Sequence, residues 1–224
     1  MPGGRPTIAI LGGTGDLGSG LGLQLARAGY PVTIGSRTAE KADRAVDALR
    51  DKAPDARLHA AENPDAAAGA DIVIMTVPFA SHRATLESVR DAVQGKIFVD
   101  ATVPLVPPKV MRVQLPPGGS AARQAQDCLG DGVRVVSAFQ NVAAGHLQKG
   151  DLADADCDVL VCGNDPQARQ AVIELAEAMG LRAWHGGPID NSAVAEALTS
   201  VLIFMNRRYN LHDAGIRFTG KPKS

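Results

Sequence analysis

The stretch Thr7-Ile-Ala-Ile-Leu-Gly-Gly-Thr-Gly-Asp-Leu-Gly18 decides the fold. Its first five residues are a short apolar run rich in β-branched side chains, which reads as a buried strand. Gly13, Gly15 and Gly18 then fall at the G-x-G-x-x-G spacing, and an apolar-periodic stretch over 17–28 follows, ending at Gly29 as helices commonly do. A strand, a glycine loop and a helix in that order form the phosphate-binding opening of a dinucleotide fold. Each glycine has a duty there: a tight turn, a close backbone approach to the pyrophosphate, and close packing of helix on strand. The helix N-terminus adds unpaired N–H groups and partial positive charge for the phosphates.

Outward from this loop the same rhythm continues. Strands are predicted over 31–35, 71–78, 96–100, 133–139, 158–162 and 181–184, with helices over 39–49, 81–93, 121–129, 166–179 and 193–205 or beyond. Strands alternating with helices imply βαβ units, because parallel strands need a crossover. The fold class expected is α/β, a Rossmann-type doubly wound parallel sheet with a smaller C-terminal α/β domain. The predicted division is 1–140 for the nucleotide domain and 141–224 for the part completing a substrate cleft. The proline-rich stretch 101–120 reads as a surface excursion.

Composition narrows the function. In 224 residues, Lys+Arg 23 against Asp+Glu 24 leaves a formal charge of −1, without the basic excess of a nucleic-acid surface. The opening Met1-Pro-Gly-Gly-Arg-Pro6 has no apolar signal core, and no run approaches the roughly 18 apolar residues of a membrane span. A cytoplasmic protein that binds neither nucleic acid nor membrane is expected. Cys128, Cys157 and Cys162 are an odd set with spacing unsuited to a metal, so free thiols and no metal site are expected.

The end of the second strand selects the nucleotide. An NAD site places an acidic residue there, about 20 residues beyond the glycines, to hold the ribose hydroxyl. This chain reads Gly35-Ser36-Arg37-Thr38, with Lys41 one helical turn on. A hydroxyl, a guanidinium fork and an ammonium suit a 2′-phosphate, which a carboxylate would repel. NADP is therefore expected over NAD.

Together, residues 10–20 and Gly35-Ser-Arg-Thr-Ala-Glu-Lys41 resemble the NADPH-dependent coenzyme F-420 reductases, the deazaflavin:NADP oxidoreductases. The likeness continues through Thr76-Val-Pro78, Val136-Ser-Ala138, Val161-Cys-Gly-Asn-Asp165, Gly187-Pro-Ile-Asp-Asn-Ser192 and Ala214-Gly-Ile-Arg-Phe218. It implies an oxidoreductase passing a hydride directly between NADP(H) and coenzyme F-420, with no acid–base residue of its own, and a homodimer. It places NADP contacts on Thr14, Gly15, Asp16 and Leu17, with Ser36, Arg37 and Lys41 at the 2′-phosphate. Thr76, Val77, Phe79 and Ala144 fall at the nicotinamide end. Val103, Pro104, Gln140, Asn141, Val142 and Met205 fall at the deazaflavin. Gln140 stands where family members often carry histidine, and Ala143 where proline is frequent.

Two other readings remain at this point: an NADPH-dependent reductase of another acceptor, flavin or imine, and a non-catalytic NADP sensor. Of the remaining polar residues, His146 reads as a cofactor contact or a solvated helix residue. His212 reads as a terminal surface residue. Arg207 and Arg208 could pair with an anionic deazaflavin tail, since guanidinium binds phosphate and carboxylate well.

Overall fold

The computed structural model describes residues 4–148, 152 and 156–220. One sheet of eight strands organises these residues, in the order β3-β2-β1-β4-β5-β6-β7-β8. The strands are β1 (Ile8–Leu11), β2 (Val32–Ser36), β3 (Leu58–Glu62), β4 (Ile72–Met75), β5 (Ile97–Asp100), β6 (Arg134–Ser137), β7 (Asp158–Gly163) and β8 (Arg182–Gly187). The helices are α1 (Asp16–Arg27), α2 (Ala39–Arg50), α3 (Asn63–Ala68), α4 (Phe79–Val89), α5 (Ala121–Leu129), α6 (Ala144–Leu147), α7 (Pro166–Ala178) and α8 (Ser192–Tyr209).

The first six strands are all parallel and lie in the Rossmann order 3-2-1-4-5-6. β1 and β4 are completely buried, so they read as unbroken apolar runs rather than as alternation. β7 then runs antiparallel to β6, pairing Val136 with Gly163 and Ser137 with Cys162, and β8 is parallel to β7. The C-terminal elements thus extend the same sheet.

Two apolar layers enclose the sheet. One gathers Ile8, Ile10, Leu21, Leu25 and Ile34 with Val159 and Val172. The other gathers Leu11, Val73, Met75, Leu86, Phe98 and Val135. Helix ends follow local chemistry. Ser120 caps α5 by accepting the Arg123 N–H, and Asp165 caps α7 by accepting that of Ala168, with Pro166 behind it. Beyond α8 the chain returns to β7, where Asp158 N–H donates to the Ile216 carbonyl and Phe218 N–H donates to the Asp158 carboxylate. Burial alone would raise the pKa of Asp158, but its paired bonds from Arg182, with the Phe218 N–H and the Trp184 indole, hold it below the usual range.

β3 and α3 were not expected from the sequence. β3 is an edge strand with only Leu58 buried, so it carries little apolar signal, and α3 has six residues. α4 begins at Phe79, two residues before the predicted start, and ends four residues early. The one-turn helix α6 was likewise not expected from the sequence.

Candidate functional site

Open α/β sheets bind ligands outside the carboxyl ends of their strands, at the switch point where strand order reverses. Here that point lies between β1 and β4, and the glycine loop sits on it. Gly12, which the motif spacing passed over, is the tight-turn residue: its φ is +71°, and a Cβ there would stand 2.7 Å from Val77 Cγ1. Gly13 closes on β1 instead, with the Ile10 carbonyl 2.9 Å from a virtual Cβ. Gly18 packs the helix on the loop, since a Cβ would meet Thr76 Oγ1 at 2.5 Å and Gly13 Cα at 2.7 Å. Thr76 itself is fixed by its hydroxyl donating to the Leu11 carbonyl at 3.0 Å.

Gly15 is different. Its φ of −82° and ψ of 167° suit any residue, and the nearest protein atom to a virtual Cβ is 3.7 Å away. Among the described residues nothing crowds this position, so the backbone is open to a ligand approaching from outside. Gly15 is the N-cap of α1, with no side-chain cap, so the N–H groups of the first turn remain free for an anion. Thr14, Gly15 and Asp16 are exposed, and Leu17 is half-buried beside them. The loop therefore fits a pyrophosphate.

Ser36 ends β2 and is buried, while Arg37 and Lys41 are exposed on the loop and first turn of α2. Neighbouring charges on α2 are paired, Arg44 with Glu40 and Arg50 with Asp47. Arg37 and Lys41 make no ion pair or side-chain hydrogen bond among the described residues, so both cations remain available. Asn63, missed by the sequence reading, braces this region. Its Oδ1 accepts the Gly12 N–H at 3.4 Å and would stand 2.8 Å from a Cβ on Gly35. An asparagine followed by proline at a helix start was the available signal.

On the other flank, Val77 and the half-buried Phe79 lead into α4. Ala144 opens α6, which packs against α1: Gln24 Nε2 donates to the Leu147 carbonyl at 2.8 Å, and Gln148 Nε2 donates to the Asp16 carbonyl at 2.8 Å. α6 thereby brings Ala144 to the α1 side of the fold. Past β5, Val103 is half-buried and Pro104 buried; past β6, Gln140, Asn141 and Val142 are buried. The Gln140 amide donates both hydrogens inside the protein, to the Asp100 carbonyl at 2.7 Å and to Ser137 Oγ at 2.9 Å. Only its Oε1 is left to accept, and that atom, Asn141 Oδ1 and Thr102 Oγ1 are buried without a partner among the described residues. Asn141 Nδ2 donates to the Asp158 carbonyl.

Met205 lies on α8 and is 36% exposed. His146 is half-buried, with Nε2 2.9 Å from the Asp213 carbonyl, so it ties α6 to the C-terminal segment rather than facing solvent. Arg207 and Arg208 lie exposed in the last turn of α8, and His212 is exposed beyond it. The cysteines are free; Cys157 and Cys162 are buried, and burial pushes the Cys162 thiol up to about 11. Among the described residues no three His, Cys, Asp or Glu side chains gather as metal ligands, and no helix is long and apolar enough to cross a membrane.

A six-strand parallel core in this order, with a glycine loop at the switch point, defines a Rossmann-type dinucleotide-binding protein. Residues 7–104 match the family model described as NADP oxidoreductase, coenzyme F-420-dependent. The chain is 41% identical over 223 residues to the F-420-dependent NADP reductase of Methanothermobacter thermautotrophicus, covering 96% of each chain. It is also 41% identical over 220 residues to that of Methanocaldococcus jannaschii, covering 95% of this chain and 97% of the other. A solved structure from Arthrobacter sp. FB24, provisionally described as an F-420-dependent NADP reductase, superposes with a TM-score of 0.82 at 28% identity, covering 96% of this chain and 100% of that one. The chain belongs to the coenzyme F-420-dependent NADP oxidoreductase family.

Proposed function

We propose that this chain transfers a hydride between NADP(H) and the deazaflavin coenzyme F-420. The observation that carries the nucleotide half is the pair of unpartnered cations, Arg37 and Lys41, beyond β2 where an NAD site carries an acid. Supporting the acceptor half is 41% identity, over nearly the whole chain, to proteins named F-420-dependent NADP reductases. In this reading Gly13 to Gly18 hold the pyrophosphate, and Ser36, Arg37 and Lys41 the 2′-phosphate. Thr76, Val77, Phe79 and Ala144 flank the nicotinamide, and Val103, Pro104, Gln140, Asn141, Val142 and Met205 serve the deazaflavin. Residues 1–140 act as the NADP half and 141–224 complete the acceptor side.

When bound, the two cofactors supply the hydride chemistry between them, so the chain needs no acid–base residue of its own. Its contribution is alignment and exclusion of water: small apolar side chains after β4, β5 and β6 form walls that flat rings can approach closely. Purified protein and NADPH, mixed anaerobically with F-420, FMN or FAD in separate cuvettes, should show rapid NADPH loss only with F-420. Turnover confined to FMN or FAD would replace the acceptor. Tight NADPH binding with no transfer to any of them would point to a sensor.

We also propose a cytoplasmic homodimer. Val194, Val201, Phe204, Met205 and Tyr209 are all exposed and fall on one stripe of α8 at helical spacing. Two copies of such a stripe can cover each other about a two-fold axis. Sedimentation should give twice the 23.2 kDa chain mass, and Phe204→Glu should give monomers; a wild-type monomer at micromolar concentration would refute the dimer.

A further inference from the structure

A buried polar cluster lies under the acceptor side of the cleft, and the chemistry above leaves it unused. At its centre is Asp100, the last residue of β5, which is 0% exposed behind the apolar Ile97, Phe98 and Val99. Its Oδ2 lies 2.6 Å from Nε2 of His82, itself buried in the first turn of α4. The other carboxyl oxygen accepts the Thr102 N–H at 2.9 Å, and the Asp100 carbonyl accepts the Gln140 amide at 2.7 Å.

From these contacts the connections spread outward. The His82 ring packs on Phe79, centroid to centroid 5.8 Å. Gln140 is anchored a second time on Ser137, the residue paired with Asp100 across β5 and β6. The Gln140 carbonyl accepts the Thr199 hydroxyl of α8 at 2.7 Å. One residue therefore joins the loops after three neighbouring strands: Phe79–His82 after β4, Thr102–Pro104 after β5, and Gln140–Val142 after β6. Because a carbonyl oxygen can only accept, the Gln140 bond to Asp100 also fixes which way its amide points.

A carboxyl group is a costly choice for a buried strand end unless every oxygen is satisfied. An apolar residue would fill the same space and keep the backbone carbonyl that holds the Gln140 amide, but could bind neither the His82 ring nitrogen nor the Thr102 N–H. Each Asp100 oxygen has a partner here, and such directional bonds define one arrangement of the groups they join.

We infer that Asp100, with His82, is a positioning residue whose carboxyl holds the segments after β4 and β5 of the acceptor cleft in fixed register with one another. The inference rests on the F-420 reading for what the cleft accepts, but not for the tie between the loops.

The test uses Asp100→Asn, which has one oxygen where two are used and so places an NH2 against either His82 or the Thr102 N–H, and His82→Gln as a second variant should the first fold poorly. Hydrogen–deuterium exchange of the nucleotide-free protein should rise about fivefold or more together in peptides covering 79–84 and 101–105, with those covering 8–11 and 32–36 unchanged. In turnover, the KM for F-420 should rise about tenfold while the Kd for NADPH stays within about twofold, a split that general loss of stability would not produce. Exchange rising in one loop only, or in none, overturns the positioning role whatever the activity, as does an unchanged KM for F-420. If the wild-type protein does not use F-420, the exchange pattern still decides the positioning role and the F-420 reading falls alone.

Discussion

Replacing Arg37 by alanine is expected to raise the KM for NADPH by about 10- to 100-fold, the equivalent of roughly 1.5–3 kcal/mol for a lost charge-assisted contact, and to leave NADH use almost unchanged. The argument turns on what Arg37 is doing when no nucleotide is present. Along α2, Glu40 is taken by Arg44 and Asp47 by Arg50. Arg37 and Lys41 are exposed and have no ion-pair or side-chain hydrogen-bond partner among the described residues, so removing either breaks no such contact there. The thermal midpoint of Arg37→Ala should accordingly match the wild type, which separates a binding role from a structural one. Arg37→Lys should fall between, since an ammonium keeps the charge but loses the two-pronged geometry that phosphate favours. The measurement is the ratio of kcat/KM for NADPH to that for NADH in each variant. An equal loss with both nucleotides would remove the 2′-phosphate role and the preference for NADP with it.

That prediction was available from sequence because its signals are local. Strand, glycine loop and helix follow one another without a gap, and the cations lie one short strand further on. What sequence could not supply was the partner of each loop residue. Gly12 takes the positive φ because Val77 closes over it from β4, and a contact between residues 65 apart leaves no mark on local spacing. β3 escaped notice for a related reason: an edge strand half in water has no apolar run to display, and its register on β2 supplies what its composition does not. Asn63 then arrives under the loop only because β3 has placed it there.

The acceptor side was legible in outline and opaque in detail. Gln140 was recognisable as a departure from a histidine, but its amide turns out to be spent on Asp100 and Ser137, so its first duty is to the fold. His82 and Asp100 carried no signal of their own; a histidine in a helix and an aspartate at a strand end are common, and their pairing exists only once α4 packs against the sheet. Met205 is a similar case. The resemblance sets it at the deazaflavin, a place its apolar surroundings in the sequence do not mark, and on α8 it is 36% exposed.

The stability of the protein is expected to fall by on the order of 4 kcal/mol as the pH rises from 5 to 9, with Glu196 as the main cause. Glu196 lies on α8 at 1% exposure, its two oxygens accepting the N–H groups of Ala121 and Ala122 at 2.7 and 3.1 Å where α5 begins. Burial pushes its carboxyl up to about 8, against the pull of those two N–H groups, and the neighbouring Asp100 adds to the rise. On β7, Cys162 also faces this charge, and its thiol stays protonated across the range. The sign follows from proton binding. The folded state holds the Glu196 proton up to about pH 8, whereas the unfolded chain releases it near the ordinary glutamate value of 4.5. The folded state therefore binds more protons between those values, and stability is full below the lower one and lost as pH climbs through the upper. Asp71 and Asp158, whose folded pKa values are lowered, contribute stability that is already complete by pH 5 and do not tilt the window. Glu196→Gln cannot ionise, so its urea-unfolding free energy should stay nearly level from pH 5 to 9. At pH 5 it should be the less stable protein by about 1–3 kcal/mol, because an amide offers one acceptor where two N–H groups wait. The two profiles should therefore converge or cross toward alkaline pH, and parallel profiles with the same slope would show that Glu196 does not govern the pH response.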